Sequence, residues 1–153
     1  MPQDLTIRPI AAADRRAWAK LWQAYLDFYE TTLDDAVYDT TFARLMSPDH
    51  PDQNGLLALA SDRPVGLVHY ILHPHNWRIE KVCYLQDLYV EPGLRGTGTG
   101  RALIEAVYAE ADACGCPSVY WLTQDFNKTA RRLYDRVGVL TPFIKYTRGQ
   151  ARG

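Results

Sequence analysis

The sequence predicts a single mixed α/β domain, spanning residues 1–153 and built around one central sheet. Its length is that of one domain, enough to bury about two-thirds of the surface of the unfolded chain. Hydrophobic residues make up 47% of the chain and charged residues 23%, which is typical of a globular protein. Strand-like and helix-like stretches follow one another in the order β-α-α-β-β-β-α-β-α-β, which indicates the α/β class.

The first half of the chain is predicted to form a strand, two helices and a hairpin. Asp14 is a suitable N-cap for the first helix, because six apolar residues after it recur at i, i+3, i+4 spacing. The predicted elements are a strand at 5–8, a helix at 14–29, a loop at 30–39, a helix at 40–46, a loop at 47–55 and strands at 56–60 and 65–72.

The second half is predicted to alternate strands with helices. Gly115 is a suitable residue to end the helix that follows the glycine-rich stretch, since glycine adopts a positive φ without strain. The predicted elements are a strand at 81–90, a helix at 100–114, a strand at 118–123, a helix at 127–137 and a last strand at 143–147.

The most informative segment is the glycine-rich stretch after the strand-like run 85–90. Gly96, Gly98 and Gly100 let successive backbone N–H groups converge without a Cβ in the way. The helix that follows adds unpaired N–H groups and the positive end of its dipole, and Arg95 and Arg101 flank the stretch. These features predict an anion site suited to a pyrophosphate. The alternative is a glycine-rich turn with no ligand.

Two familiar phosphate motifs do not fit this segment. A Walker A loop requires G-x-x-x-x-G-K-S/T, but Thr99 stands where the lysine belongs. A dinucleotide fingerprint requires G-x-G-x-x-G, whose last position is Arg101 counted from Gly96 and Leu103 counted from Gly98.

The spacing that does fit is Arg-x-x-Gly-x-Gly, with its glycines at Gly98 and Gly100. Here the chain resembles the GCN5-related N-acetyltransferases (GNAT family), whose coenzyme A loop has this form between a strand and a helix. A second family motif, N-x-x-A-x-x-x-Y, matches at Asn127, Ala130 and Tyr134. The resemblance covers roughly the whole chain. It implies a mostly antiparallel mixed sheet flanked by helices and transfer of an acetyl group from acetyl-CoA to an amine.

The resemblance implies where acetyl-CoA binds. The glycine-rich loop would hold the pyrophosphate, and backbone groups of the preceding strand would hold the pantetheine arm. The implied cofactor residues are Leu88, Tyr89, Val90, Arg95, Gly96, Thr97, Gly98, Thr99, Gly100, Arg101, Asn127, Ala130 and Tyr134. Asn127 is equally explained as a helix N-cap, and the side chains of Leu88 and Val90 as core residues.

The expected catalytic residues are Tyr134, Asp87 and Gln86. A tyrosine with a pKa of about 10 can protonate a departing thiolate, although a core aromatic is the alternative for Tyr134. A basic amine must also lose a proton, and the related polyamine-acetylating branch uses a glutamate where this chain has Gln86. Since glutamine is no base, either Asp87, Glu80 or a water relay would serve, or the amine would arrive already neutral. Asp87 could instead be purely structural.

The acceptor is expected to be a primary amine, either a small molecule or a lysine-bearing peptide. The chain is most similar to the branch containing the yeast histone and polyamine acetyltransferases. Carboxylates interleaved with aromatic rings suit a cation, and we expect Tyr29, Glu30, Asp34 and Asp35 to bind it. A solvated acidic loop is the alternative.

Composition argues against several other classes. A formal net charge of -1 without a basic run argues against a nucleic-acid partner, and the sequence shows neither a membrane span nor a leader peptide. Three cysteines, an odd count, predict free thiols in a reducing cytoplasm, and no metal site is expected. The family branch implies a homodimer paired through the C-terminal strand. The competing function is a non-catalytic acyl-CoA-binding or sensor domain.

Overall fold

The computed structural model describes residues 4–149, which fall into two compact units that divide between Leu122 and Thr123. The first unit holds one five-stranded sheet and three helices. Its strands are β1 (Leu5–Pro9), β2 (Gln53–Ala60), β3 (Arg63–His73), β4 (Val82–Val90) and β5 (Val119–Tyr120), and its helices are α1 (Arg15–Phe28), α2 (Asp35–Met46) and α3 (Thr99–Ala113). The second unit holds α4 (Lys128–Val137).

The sheet is mixed and mostly antiparallel, as predicted. Its strands lie in sequence order, β1-β2-β3-β4-β5, with antiparallel pairing throughout except between β4 and β5. Ser61 and Asp62 form the tight β2–β3 turn, both with positive φ (+49° and +70°). A two-residue turn of this hand matches the right-handed twist of the strands it joins.

Helix α3 packs on the sheet where a glycine permits close approach. Leu103, Ile104 and Val107 are buried on the inner face of α3, as the apolar spacing predicted. A Cβ added to Gly66 of β3 would lie 3.1 Å from Cδ1 of Leu103. The absence of a side chain at Gly66 therefore lets α3 settle against β3.

Helix α1 buries an aromatic-rich face in a second part of the core. Trp18, Leu21, Trp22 and Leu26 are buried and pack in one cluster with residues of β2 and β3. Asp14 occupies the N-cap position of α1, but its carboxylate accepts no capping hydrogen bond from that helix.

Several predicted boundaries were wrong. Half of the predicted loop 30–39 belongs to α2, which begins at Asp35 because Asp34 is an extended N-cap residue and Asp35 suits the positive end of the helix dipole. The predicted loop 47–55 overlaps β2, where a Cβ on Gly55 would clash with Cδ1 of Ile10. Gly55 is thus a packing glycine within a strand.

The C-terminal prediction was also wrong. Residues 143–147 have no regular secondary structure, and Phe143, Ile144 and Tyr146 are 77–88% exposed. Their β-propensity predicted a strand, but a segment with high β-propensity forms a strand only when another strand is available to pair with it. Strand β5 likewise covers only residues 119–120 of the predicted 118–123. Across residues 4–149, no helix is long and apolar enough to cross a membrane.

Candidate active site

Strand β4 carries a β-bulge at the candidate base. Asp87 pairs with His69 of β3, whereas the next pair is Leu85 with Tyr70, so Gln86 is an extra residue with no partner. Gln86 is exposed and Asp87 is buried. The bulge therefore interrupts the regular alternation of side chains between the two faces of the sheet at Gln86 and Asp87, the two residues considered for proton transfer.

One edge of β4 is open beyond the bulge. Within the first unit, β5 pairs with β4 only at Cys83 and Tyr84. Glu91 N–H donates to the carbonyl of Val65 on β3 at 2.9 Å. In an antiparallel pair, every second residue along a strand is hydrogen-bonded to the same neighbour, so this bond shows which residues of β4 face β3. Leu88 and Val90 consequently direct their backbone groups away from β3, toward the open edge. These are the backbone groups that the sequence associated with a pantetheine arm.

The glycine-rich loop begins where β4 ends and leads into α3. Gly96 and Gly98 have positive φ values of +80° and +92°, and Gly98 is the N-cap residue of α3. Its carbonyl accepts from Ala102 N–H at 3.0 Å. No backbone hydrogen bond within residues 4–149 uses the amides of residues 98–101 as donors. Several N–H groups and the positive end of the α3 dipole are thus available to an anion.

The two arginines of the loop take different roles. Arg95 Nε donates to the carbonyl of Val90 at 3.0 Å, and its guanidinium lies over the rings of Phe28 and Tyr89, 5.9 and 5.6 Å from their centroids. Arg101 Nε donates to Glu105 at 2.7 Å on the surface of α3. Arg95 therefore ties the loop to the end of α1, and the side chains of both arginines have partners within the protein.

Two threonines stabilise the same loop from inside. The Thr97 hydroxyl donates to the carbonyl of Leu94 and lies 3.1 Å from the hydroxyl of Thr99, which is fully buried. These contacts stabilise the loop and the first turn of α3.

Asp87 lies in a buried hydrogen-bond network that joins β4 to β3 and α1. Its Oδ2 atom lies 2.8 Å from His69 Nδ1 and accepts from Trp22 Nε1 at 3.3 Å. Trp18 Nε1 donates to His69 Nε2 at 2.9 Å. The sequence did not predict this network; the one signal was His69 within the mostly apolar segment 65–72 of β3.

The predicted acceptor residues lie where α1 passes into α2. Burial and the negative charge of Asp87 raise the pKa of Tyr29, which ends α1, while a hydrogen bond with Tyr25 opposes the shift. The charge of Asp87 therefore acts on the Tyr29 hydroxyl. Glu30, Asp34 and Asp35 are exposed on the segment that leads from α1 into α2.

Asp35 also lines an open groove of about 960 Å³ between α1 and α2. Arg15, Arg16 and Lys20 line the same groove, so its charge is mixed.

The charge of Asp87 also acts on Tyr84 of β4, which the sequence analysis did not select. Burial and this negative charge both raise the pKa of Tyr84.

The second motif residues lie in the second unit. Asn127 Oδ1 accepts from Ala130 N–H at 3.3 Å, so Asn127 is the N-cap of α4. Tyr134 lies two turns further along this helix and is half-buried, and its carbonyl accepts from Gly138 N–H at 2.8 Å. Among the described residues, no cluster of three or more histidine, cysteine or acidic side chains could hold a metal ion.

The sequence profile described as "Acetyltransferase (GNAT) family" matches residues 18–139. The chain belongs to the GNAT family. It is an N-acetyltransferase by this membership, and the two motifs are those of its family. The D-amino-acid N-acetyltransferase HPA3 of Saccharomyces cerevisiae is 39% identical over 146 residues, covering 94% of this chain and 90% of that protein. A thialysine N-epsilon-acetyltransferase of Bos taurus is 35% identical over 74 residues, or 48% of this chain and 43% of that protein.

Solved structures share the fold at low sequence identity. A probable acetyltransferase superposes with a TM-score of 0.83 at 19% identity, covering 97% of this chain and 99% of that one. An aminoglycoside N-acetyltransferase in complex with CoA gives a TM-score of 0.82 at 16% identity, covering 96% and 95%. The arrangement of strands and helices is therefore that of GNAT acetyltransferases.

Proposed function

We propose that this enzyme transfers the acetyl group of acetyl-CoA directly to a primary amine. The observation that carries the proposal is that the open edge of β4 runs straight into a glycine loop with free amides at the start of α3. A backbone edge followed by an anion site suits a ligand with an amide-rich arm and a pyrophosphate.

The residues present fit acetyl-CoA. The amides from Gly96 to Arg101 would bind the pyrophosphate, because positive φ at two glycines leaves the loop backbone open to close approach. The backbone of Leu88 and Val90 would bind the pantetheine arm at the open edge of β4. When bound, the cofactor supplies the acetyl group as a thioester.

Tyr134 is proposed as the general acid. Its hydroxyl would protonate the departing thiolate, since a phenol with a pKa of about 10 is only modestly mismatched to a thiol of about 8.5. The proposal rests on the match of Tyr134 to the family motif. Asn127 and Ala130, which precede Tyr134 on the same helix, are proposed to contact the cofactor as well as to form the helix cap.

Asp87 is proposed as the group that receives the proton of the acceptor. An amine with a pKa of about 10.4 is neutral in only about one molecule in a few thousand at pH 7, so a base is needed. The Gln86 side chain is exposed on the bulge but accepts no proton. Asp87 is the adjacent carboxylate.

The acceptor is proposed to be a small amine or amino acid, with a lysine-bearing peptide as the other possibility. The names of the yeast and bovine relatives support amino-acid and lysine-like substrates. Tyr29, whose hydroxyl is influenced by the charge of Asp87, is proposed to contact the acceptor, together with Glu30, Asp34 and Asp35 at the entrance. A homodimer and a cytoplasmic location are also proposed; light scattering that finds only a 17.4 kDa monomer at high concentration would remove the dimer.

A second candidate is a non-catalytic acyl-CoA sensor, favoured by glutamine in place of the glutamate at the bulge. Release of free CoA thiol from acetyl-CoA in the presence of D-amino acids, thialysine, lysine peptides and polyamines separates the two. The proposed function predicts amine-dependent release with at least one acceptor. A sensor binds acetyl-CoA and releases no thiol with any of them.

Tyr134→Phe tests the acid. We expect kcat to fall about 10²-fold or more, with unchanged affinity for acetyl-CoA, because only the proton donor is lost. Thermal melting of the variant checks its fold. Full activity of a folded Tyr134→Phe enzyme would refute the assignment.

Gln86→Glu should raise the rate with strongly basic amines near neutral pH, since it adds a carboxylate at the exposed bulge.

A further inference from the structure

The network around Asp87 fixes the protonation of its histidine. The Trp18 indole can only donate a hydrogen bond, so His69 Nε2 must be the unprotonated, accepting nitrogen. The proton of a neutral His69 ring is then on Nδ1, from which it is donated to Asp87 Oδ2. Trp22 Nε1 also donates to Oδ2. Two N–H donors from α1 and β3 therefore hold the same carboxylate oxygen.

The other oxygen of Asp87 is left for a ligand. Among the hydrogen bonds of residues 4–149, none reaches Asp87 Oδ1, yet every fully buried side-chain N or O atom in that range has a partner. Oδ1 must therefore reach the accessible surface, which agrees with a side chain that is 12% exposed. The carboxylate is anchored by one oxygen and open at the other, immediately after the bulge at Gln86.

His69 itself cannot act as the base in this arrangement. Its only basic nitrogen is occupied by the Trp18 N–H, and protonating that nitrogen would break a buried hydrogen bond. Asp87 can take a proton on Oδ1 without losing any contact of the network. The pair thus differs from an Asp–His dyad in which the imidazole accepts the proton.

We propose that His69, held by Trp18, and Trp22 are positioning residues that fix Asp87 through Oδ2 and direct Oδ1 to the acceptor amine. This inference rests on the proposed function. The ammonium N–H bond breaks and its proton passes to Oδ1. The freed nitrogen lone pair forms the C–N bond to the acetyl carbon, while the C–S bond breaks and the thiolate sulfur receives a proton from the general acid. The nitrogen then loses its second proton to solvent, and solvent exchange returns Asp87 to its carboxylate and reprotonates the general acid, so that one proton is released for each ammonium acetylated.

The test compares a basic and a weakly basic acceptor of similar shape at pH 7. D-Alanine and 3,3,3-trifluoro-D-alanine form one pair, and 1,4-diaminobutane and its 2,2-difluoro analogue serve if the enzyme prefers diamines. The amino group next to the fluorinated carbon is neutral in a much larger fraction of molecules at pH 7, so it has less need of a base, and acetylation is scored at that group. The variants are Trp22→Phe, which removes one donor and keeps a ring, and His69→Gln. Asp87→Asn is the reference for loss of the base.

We expect Trp22→Phe and His69→Gln to lower kcat/KM about 10-fold or more with the basic amine and less than about 3-fold with the fluorinated one. Tyr70→Phe, a buried change at the neighbouring position of β3, should leave both rates unchanged. Melting curves verify that each variant is folded. Trp22→Phe, as the milder change, keeps the test valid if His69→Gln does not fold.

The outcomes separate the inference from the function beneath it. Equal losses with both amines, or no loss in either folded variant, would overturn the positioning role while leaving acetyl transfer intact. A wild-type enzyme that releases no CoA thiol with any acceptor of the amine panel would refute the proposed function, and the inference would fall with it.

Discussion

Placing an alanine at Gly96 separates backbone strain from ligand binding. Gly96 has a φ of +80°, and a Cβ there would meet nothing within 4 Å. The only structural cost of Gly96→Ala is therefore a left-handed alanine, on the order of 1–2 kcal/mol. For a chain of this size that cost lowers Tm by about 2–8 °C. A bound pyrophosphate, in contrast, would meet the new methyl group at the amides it needs.

Gly115 provides a matched control at the other end of α3. Its φ is +74°, and a Cβ there likewise meets nothing within 4 Å. Gly115→Ala should lower Tm by a similar amount and leave the KM for acetyl-CoA unchanged. Gly96→Ala should raise that KM about 10-fold or more, equivalent to a loss of about 1.4 kcal/mol of binding.

The assay is initial-rate kinetics with acetyl-CoA as the varied substrate, together with thermal melting of both variants. The reasoning would be refuted if Gly96→Ala and Gly115→Ala changed the KM equally, because the effect would then come from backbone strain alone. An unchanged KM in folded Gly96→Ala would remove the loop from the binding site.

Two further predictions concern stability and thiol reactivity. Hydrogen bonds from Arg8 and from Ala11 N–H lower the pKa of Asp14, while burial opposes this shift. The ionised carboxylate therefore stabilises the folded state fully above the pKa of Asp14 in the unfolded chain, about 3.9. This stabilisation is lost as the pH falls through the lower pKa of Asp14 in the folded protein. Asp14→Asn should therefore cost about 1 kcal/mol in urea unfolding at pH 7 and progressively less below pH of about 4, whereas a pH-independent cost would contradict the assignment. Burial raises the pKa of Cys83 to about 12, so iodoacetamide should modify the exposed Cys114 of the native protein first; alkylation of Cys83 at an equal rate would argue against its burial.

The sequence was sufficient to predict the parts of this protein that depend on local rules. Glycine adopts a positive φ without strain, and Gly96 and Gly98 both have one in the segment where the phosphate loop was predicted. The apolar spacing of α1 and α3 predicted which faces of these helices are buried. Asn127 is the N-cap of α4, which was one of the two interpretations of this residue. Each of these features is decided within one or two turns of chain.

Features that depend on distant partners could not be predicted. The bulge at Gln86 exists because β3 and β4 pair in shifted registers, and register is a property of two strands. The contacts of Asp87 with His69 and Trp22 join residues 18 and 65 positions apart. The strand predicted at 143–147 failed for the same reason, since its residues have the propensity but not the pairing.

The most direct test of the central claim follows the acetyl carbon itself. Acetyl-CoA labelled with ¹³C at the carbonyl is incubated with the enzyme and the best acceptor of the amine panel, and the carbonyl resonance is followed by NMR. Acetyl transfer predicts that the thioester signal is replaced by an amide signal in a 1:1 ratio with released CoA thiol. A thioester signal that persists with bound enzyme, or that converts to free acetate, would contradict the account.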